Sequence, residues 1–374
     1  LNPGGVAMSA IPPALVEGLR HAGLPVFQAR NGALVLGSLS QLWSAGRSLA
    51  DGLDKVGGKA LAVELMLRAA HIESASNRTG LGPSSGRMGD HEPAGWVLPR
   101  RALPTGRTLV MGVINVTPDS FSDAGRTLSP STAIERGLQL AAEGVDIIDV
   151  GGESTRPVGA LPVSAQEEID RIGPVVQRLA RQANVPISVD TMKSEVAKAA
   201  LDAGAEIVND VSGLNADPAM GKLIADREAG LVLMHMRGTP QDMQTRTEYR
   251  DLLGEVIHEL DAGLARAREA GILADHICID PGYGFAKEPS QCFQLLRRQR
   301  ELLQLGRPVL AGVSRKTFIG RAVGQAPGDR LYGTLAAVTM AVMQGAAVVR
   351  VHDVAAARDA VAVADAIRRD GDGV

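Results

Sequence analysis

At 374 residues the chain exceeds one average domain, yet βα barrels commonly run past about 250 residues, so one large domain with an extension fits. A formal charge of −3 leaves no electrostatic footprint for nucleic acid, and 3% aromatic residues offer no stacking platform for single strands. No run of eighteen apolar residues spans a membrane, and the N-terminus lacks the charged and apolar regions of a secretory signal. The two cysteines, Cys278 and Cys292, form no metal-ligand pattern, and so few fit a reducing, cytoplasmic setting.

In chain order, residues 1–75 read as a small α+β module. Helix-like stretches lie near Pro13–Ala22, Leu39–Leu53 and Lys59–Ala70. Val26–Ala29 and Leu34–Leu36 suggest a hairpin turning at Asn31-Gly32. Leu1 leaves two expectations open: that Met8 starts the natural chain, or that the sequence is a fragment. Residues 76–95 are rich in Gly, Ser and Pro with no apolar period, the signature of a linker. Residues 96–374 form the second unit, opened by a hairpin of Trp96–Leu98 and Ala102–Leu103 across its mouth.

Apolar strands then follow at Leu109–Ile114, Val145–Val150, Ile187–Val189, Ile207–Val208, Leu231–Met234, Ile277–Ile279, Val309–Val313 and Ala347–Val351. Helical patterns intervene, among them Ala133–Glu143, Glu167–Arg181, Ser194–Ala203, Asp251–Ala270 and Tyr332–Gln344. Eight strands alternating with helices predict an α/β fold, a (β/α)8 TIM barrel preceded by the α+β extension. An open doubly wound sheet is the alternative. The absent Gly-x-Gly-x-x-Gly fingerprint weighs against an open sheet with a nicotinamide cofactor.

The strand ends carry the chemistry, as barrels require. Asn115 closes the first strand and either caps the next helix or lends an oxygen to a hard cation such as Mg2+. The polar loop Thr117–Asp123 is suited to serve as a lid. The second strand runs into Asp149-Val150-Gly151-Gly152-Glu153, followed by Thr155, Arg156 and Pro157; Glu153 and Arg156 would otherwise pair on the surface. Asp190, Asn209-Asp210 and Asp280 end three further strands, and buried carboxylates are costly unless paired. Any one could cap a helix; three together predict a polar floor for a planar, amidine-bearing heterocycle. His235 sits between Met234 and Met236, which suit an adaptable apolar wall; alone it reads as a satisfied core histidine. Lys316 follows the seventh strand, and Arg350 and His352 share a face of the eighth, as an anion grip would.

These stretches together resemble the dihydropteroate synthases, the pterin-binding family of folate biosynthesis. The matches are 112–123, 148–157, 188–191, 209–210, 233–236, 280–285, 314–316 and 350–353, in order. The resemblance implies a (β/α)8 barrel, probing no further than residue 109 toward the N-terminus. It also implies a transferase that condenses 6-hydroxymethyl-7,8-dihydropterin diphosphate with 4-aminobenzoate to dihydropteroate and pyrophosphate. By motif position Asp190, Asn209, Asp280 and Lys316 would hold the pterin, with Phe285 also in the substrate site. Asn115 would meet Mg2+ and the diphosphate, which Arg350 and His352 would grip. Arg156 would cover the pterin face, and Thr155, Pro157, Phe121 and Thr317 would shape the aminobenzoate site. The resemblance makes Asp190, Lys316, Arg350 and His352 the expected catalytic set, which would act by charge and position without a protein nucleophile. A homodimer is implied too. Val158 is inserted between Pro157 and Gly159 relative to the family pattern, and Ala124 and Ala286 stand where Gly is common. Three rivals remain: a synthase with another arylamine, a pterin-binding methyltransferase, and a non-catalytic pterin- or partner-binding protein.

Overall fold

The computed structural model describes residues 4–8, 26–29, 32–37, 95–104, 106–117, 129–154 and 163–369. The chain divides into two units, Leu1–His91 with Gln304–Gly306, and Glu92–Leu303 with Arg307–Val374. In the first, β1 (Gly4–Met8), β2 (Val26–Ala29) and β3 (Gly32–Gly37) make an antiparallel sheet in the order β1-β3-β2. Strands β2 and β3 pair as the expected hairpin, with the second strand already begun at Gly32, which opposes Ala29. The helix-like stretches 13–22, 39–53 and 59–70 and most of the 76–95 linker lie outside the described residues.

The second unit is the expected (β/α)8 barrel. Its parallel strands are β6 (Leu109–Asn115), β7 (Ile147–Gly151), β8 (Ile187–Asp190), β9 (Ile207–Asp210), β10 (Gly230–Met234), β11 (Ile277–Asp280), β12 (Leu310–Ala311) and β13 (Val348–Val351). The sheet runs β11-β10-β9-β8-β7-β6-β13-β12. It closes where Ile279 bridges Val309 and the Ile279 N–H donates to the Pro308 carbonyl at 2.9 Å. The seventh strand is shorter than its apolar run, because the chain leaves the ladder at Gly312 to form the turn that carries Lys316.

Local sequence explains the helices. Ser129 and Ser164 accept the N–H groups of Thr132 and Glu167, capping Pro130–Ala142 and Ala165–Gln182. In the latter, Ile172, Val175, Val176 and Leu179 form the buried stripe. Helices Met220–Asp226, Pro289–Arg297, Thr317–Val323 and Val354–Arg368 complete the alternation.

The opening hairpin, β4 (Trp96–Leu98) with β5 (Arg101–Leu103), closes the mouth opposite the strand C-termini. Trp96, Leu98 and Leu103 cluster with Leu109, Ile147, Ile207, Cys278, Leu310 and Val348, which begin or lie low on their strands. The Trp96 indole N–H donates to the His276 carbonyl at 2.9 Å. Gly230 permits the fit, since a Cβ there would lie 2.5 Å from Leu98 Cδ2. One mouth of the barrel is thus a dry plug, and the other is left for polar groups.

Candidate active site

Inward positions alternate along each strand, so one residue every second step faces the barrel lumen. Above the apolar layer those positions are Asn115, Asp149 and Gly151, Asp190, Asn209, Met234, Asp280, Gly312 and Arg350. The registers align them: Asn115 opposes Gly151, Gly151 opposes Asp190, and Asp190 opposes Asn209. Gly151 leaves a gap between its neighbours; a Cβ there would stand 3.5 Å from Asp190 Cβ and 3.7 Å from Asn115 Oδ1.

The floor is a charge network. Arg350 donates from Nε to Asp149 Oδ2 and from Nη2 to Asp190 Oδ2, both at 2.7 Å. Asn209 Nδ2 donates to the same Asp149 oxygen at 3.1 Å. The other oxygens, Asp149 Oδ1 and Asp190 Oδ1, are buried with no protein partner. Burial therefore raises the pKa of Asp190, with Arg350 opposing it. Burial also works against the Arg350 charge, but Asp149 and Asp190 outweigh it and hold the guanidinium ionised.

Asp149 was not among the sequence-derived site residues. Its signal was a carboxylate inside the apolar run Ile147–Val150, completely buried in the fold. Its neighbour along the next strands, Asp210, has a different task. Its side chain faces away from the lumen and accepts the N–H groups of Ser212 and Leu214, both at 2.8 Å, as a turn cap.

Across the lumen, Asp280 accepts the Gly282 N–H at 2.7 Å. Lys316 Nζ donates to the Tyr283 carbonyl and sits 4.7 Å above the Phe285 ring. Gly312 keeps the space between them open: a Cβ there would lie 3.6 Å from Asp280 Oδ2 and 3.8 Å from Lys316 Nζ. Burial lowers the Lys316 pKa to about 8, against Asp280, and raises that of Asp280, against Lys316. Met234, Met236, Met243, Val211 and Ala286 form an apolar cluster against which Met192 and Phe285 pack. The methionine wall expected from the sequence is there.

At the rim, Ser314 Oγ lies 3.0 Å from His352 Nδ1 and also accepts the His352 backbone N–H at 3.3 Å. Arg315 is turned away into a bidentate pair with Asp353, at 2.6 and 3.0 Å. Thr317 is exposed at the first position of the helix after Lys316. His235 is buried between Glu259 and Lys287, a satisfied histidine as expected. Phe121, Thr155, Arg156 and Pro157, with the departures at Ala124 and Val158, lie outside the described residues. Ala286 is described, and its φ of 49° explains why glycine suits that position. Among the described residues no three His, Cys, Asp or Glu side chains gather for a metal.

Arg350 and His352 do share a face, but Arg350 is engaged by the two carboxylates at the floor while His352 pairs with Ser314 at the rim. The arrangement offers carboxylate oxygens and an ammonium around a planar slot, with hydroxyl and imidazole groups above. It can seat a flat, donor-rich ring and stabilise charge that develops on it.

A family model described as pterin binding enzyme matches residues 111–352. The dihydropteroate synthase of Synechocystis sp. is 47% identical over 264 residues, 70% of this chain and 91% of that protein. That of Escherichia coli K12 is 44% identical over 259 residues, 69% and 90% of the two chains. Among solved structures, Yersinia pestis dihydropteroate synthase with a sulfonamide drug complex superposes with a TM-score of 0.71 at 38% identity. It covers 74% of this chain and 99% of its own. The Xanthomonas albilineans enzyme with 4-aminobenzoic acid gives 0.68 at 44% identity, covering 74% and 98%. The ordered strand-end residues, the closed barrel and these likenesses agree: the chain belongs to the pterin binding enzyme family, and within it to the dihydropteroate synthases.

Proposed function

We propose that the chain condenses 6-hydroxymethyl-7,8-dihydropterin diphosphate with 4-aminobenzoate, releasing pyrophosphate and 7,8-dihydropteroate for folate biosynthesis. The observation that carries this reading is the floor: two buried carboxylates with one unpartnered oxygen each, facing Asp280 and Lys316 across an open slot. A pterin supplies N–H donors along its amidine edge, which carboxylate oxygens accept, while Asn209 offers both a donor and an acceptor. Lys316 donates to a ring acceptor.

As the methylene C–O bond breaks, positive charge develops on the pterin. The carboxylates Asp190 and Asp280, fixed before the reaction, stabilise that charge without reorganising. The arylamine nitrogen then bonds to the methylene carbon, and its proton passes to solvent. The chain contributes position and charge. His352 and Ser314, at the rim, are placed for the departing pyrophosphate; Arg350 acts on it through the floor.

Mg2+ is the ion this reading calls for. Asn115, whose side-chain oxygen lies at the C-terminal end of β6 beside Gly151, would hold the ion, a hard oxygen suited to a hard cation. When bound, the ion neutralises charge on the leaving group. In this reading Thr155, Pro157, Phe121 and Thr317 shape the aminobenzoate side, and Arg156 covers the pterin face.

We extend the proposal to a cytoplasmic homodimer. No helix among the described residues is long and apolar enough to cross a membrane. Both cysteines are free and buried, which suits a reducing compartment. Helix Leu331–Met343 has no charged residue, and Tyr332 and Met340 are exposed at 83% and 45%, two turns apart on one face. A second copy of the chain is the occupant such a face fits. Met340→Glu should shift sedimentation from dimer to monomer; a monomeric wild type would refute this part.

The deciding assay follows pyrophosphate release with Mg2+ and dihydropterin diphosphate, with and without 4-aminobenzoate. Release that depends on the arylamine, with dihydropteroate seen by mass spectrometry, supports the proposal. Release independent of it points to another acceptor, and none from protein that binds pterin refutes the activity.

A further inference from the structure

In the loop that follows β11 lies a buried lysine that the reaction does not use. Lys287 is 2% exposed, and its ammonium donates to the Phe285 carbonyl at 3.0 Å, the Gly282 carbonyl at 3.1 Å and His235 Nδ1 at 2.9 Å. Three protons meet three acceptors. Burial pushes the Lys287 pKa down to about 7, with Cys292 and Asp280 opposing that loss of charge and Lys316 adding to it.

The loop it grips is the one that forms half of the slot. Gly282, Gly284 and Ala286 all have left-handed backbone, at φ 69°, 78° and 49°; the glycines adopt it freely, whereas Ala286 keeps it only where its surroundings enforce it. Three of the loop's other groups serve the ligand side. The Gly282 N–H orients Asp280, the Tyr283 carbonyl receives Lys316, and the Phe285 ring underlies the Lys316 ammonium. The same short segment is thus pinned by one lysine and positions another.

His235 completes the support. Its Nδ1 accepts from Lys287, so its Nε2 carries the proton and donates to Glu259 at 3.0 Å. Burial lowers the His235 pKa to about 4, keeping the ring neutral and an acceptor. Arg237 holds Glu259 in turn, donating from Nε at 3.0 and 3.2 Å, and stacks 3.9 Å over the Tyr249 ring. The Tyr249 hydroxyl returns to the loop, donating to the Ala286 carbonyl at 3.0 Å.

We propose that Lys287, supported by His235, is a positioning residue that holds the Asp280–Lys287 loop in the shape which aims Asp280 and Lys316 at the pterin ring. The inference rests on the proposed function of the slot and adds residues that touch no substrate.

Calorimetric titration of full-length protein with 6-hydroxymethylpterin, and separately with Mg2+ and pyrophosphate, tests it. In Lys287→Met, pterin affinity falls at least tenfold while pyrophosphate affinity and the KM for 4-aminobenzoate stay within twofold. His235→Leu gives the same split. His235→Asn, whose amide oxygen stands where Nδ1 stood, restores pterin affinity to within threefold of wild type. Unchanged pterin affinity in folded Lys287→Met overturns the proposal, as does equal loss of both ligands or equal behaviour of the Leu and Asn variants. If Lys287→Met does not fold, the His235 pair decides. Wild-type protein that binds no pterin refutes the underlying reading, whereas variants matching a pterin-binding wild type refute this inference alone.

Discussion

Replacing Lys316 by Met keeps an unbranched stem in the slot and removes only the ammonium. The lost interaction is a charge-assisted hydrogen bond to the ring, worth about 1.5–3 kcal/mol. Asp280 loses the cation that most opposes its burial-raised pKa, so its ionised, ring-accepting form becomes scarcer. Together these amount to about 2–4 kcal/mol, or a rise in pterin Kd of roughly 30- to 1000-fold. Calorimetry with 6-hydroxymethylpterin at pH 7 measures it directly. The pH dependence gives a second readout. Because burial brings the Lys316 pKa to about 8, the ammonium is present below that pH and lost as pH rises through it. Wild-type pterin affinity should therefore decline above pH 8, and the variant should lack that decline. The stability sign is opposite. A lysine whose folded pKa lies below its unfolded 10.5 costs stability at neutral pH, and the cost is relieved between about 8 and 10.5. Ligand-free Lys316→Met should melt at or above the wild-type temperature at pH 7. A folded variant whose pterin Kd stays within threefold of wild type would refute the placement of this cation.

Arg350→Met leaves Asp149 and Asp190 buried without their counter-ion and should cost about 3–5 kcal/mol in urea unfolding at pH 7; a loss under 1 kcal/mol would mean the bridge is not structural. Trp96→Ala opens the plug at the far mouth and should cost about 3–5 kcal/mol while kcat at saturating substrates stays within twofold, which a melt and a steady-state assay check together. Ala286→Gly relieves left-handed backbone worth about 1–2 kcal/mol but gives up a buried methyl worth about 0.8 kcal/mol, so unfolding should show a gain of at most about 1 kcal/mol. Residues 96–374 alone should retain the chemical step; a folded but inactive truncation would make the N-terminal unit part of the site.

What could be read in advance follows from chain geometry. A strand buried on both faces is a run of apolar residues, so its end is marked wherever that run meets a polar residue, as at Asn115, Asp190, Asn209 and Asp280. Helix Ser194–Ala203 was legible to the residue because its apolar stripe stops at Gly204, a left-handed C-cap. Helix Val354–Arg368 was harder, since its many alanines blur the contrast between faces. Asp149 escaped because it interrupts an apolar run two residues before the strand ends, where periodicity alone cannot tell a lumen carboxylate from a cap. The support of Lys287 by His235 could not be read at all. The two residues are 52 positions apart and meet only because β10 and β11 are neighbours. Which mouth the Trp96 hairpin covers was likewise a tertiary matter, decided by the small side of Gly230 and the low apolar layer it meets.

That layer is separated from the floor by a single inward step. Ile147 is followed inward by Asp149, Ile207 by Asn209, Cys278 by Asp280, and Val348 by Arg350. Two residues of strand advance about 6.6 Å. Over that distance the lumen changes from a plug in which Trp96, Leu98 and Leu103 are buried to one holding unpartnered carboxylate oxygens. Such oxygens are buried and receive no donor from the protein itself, which makes them costly for the fold to hold. The dry layer offsets that cost by apolar burial and denies water a path from below. A ring that brings its own N–H donors supplies what the protein does not, so these acceptors favour a donor-edged ligand. The same atoms then face the charge that develops when the diphosphate leaves. Seating the substrate and stabilising the transition state are, in this barrel, successive uses of one set of orphaned oxygens.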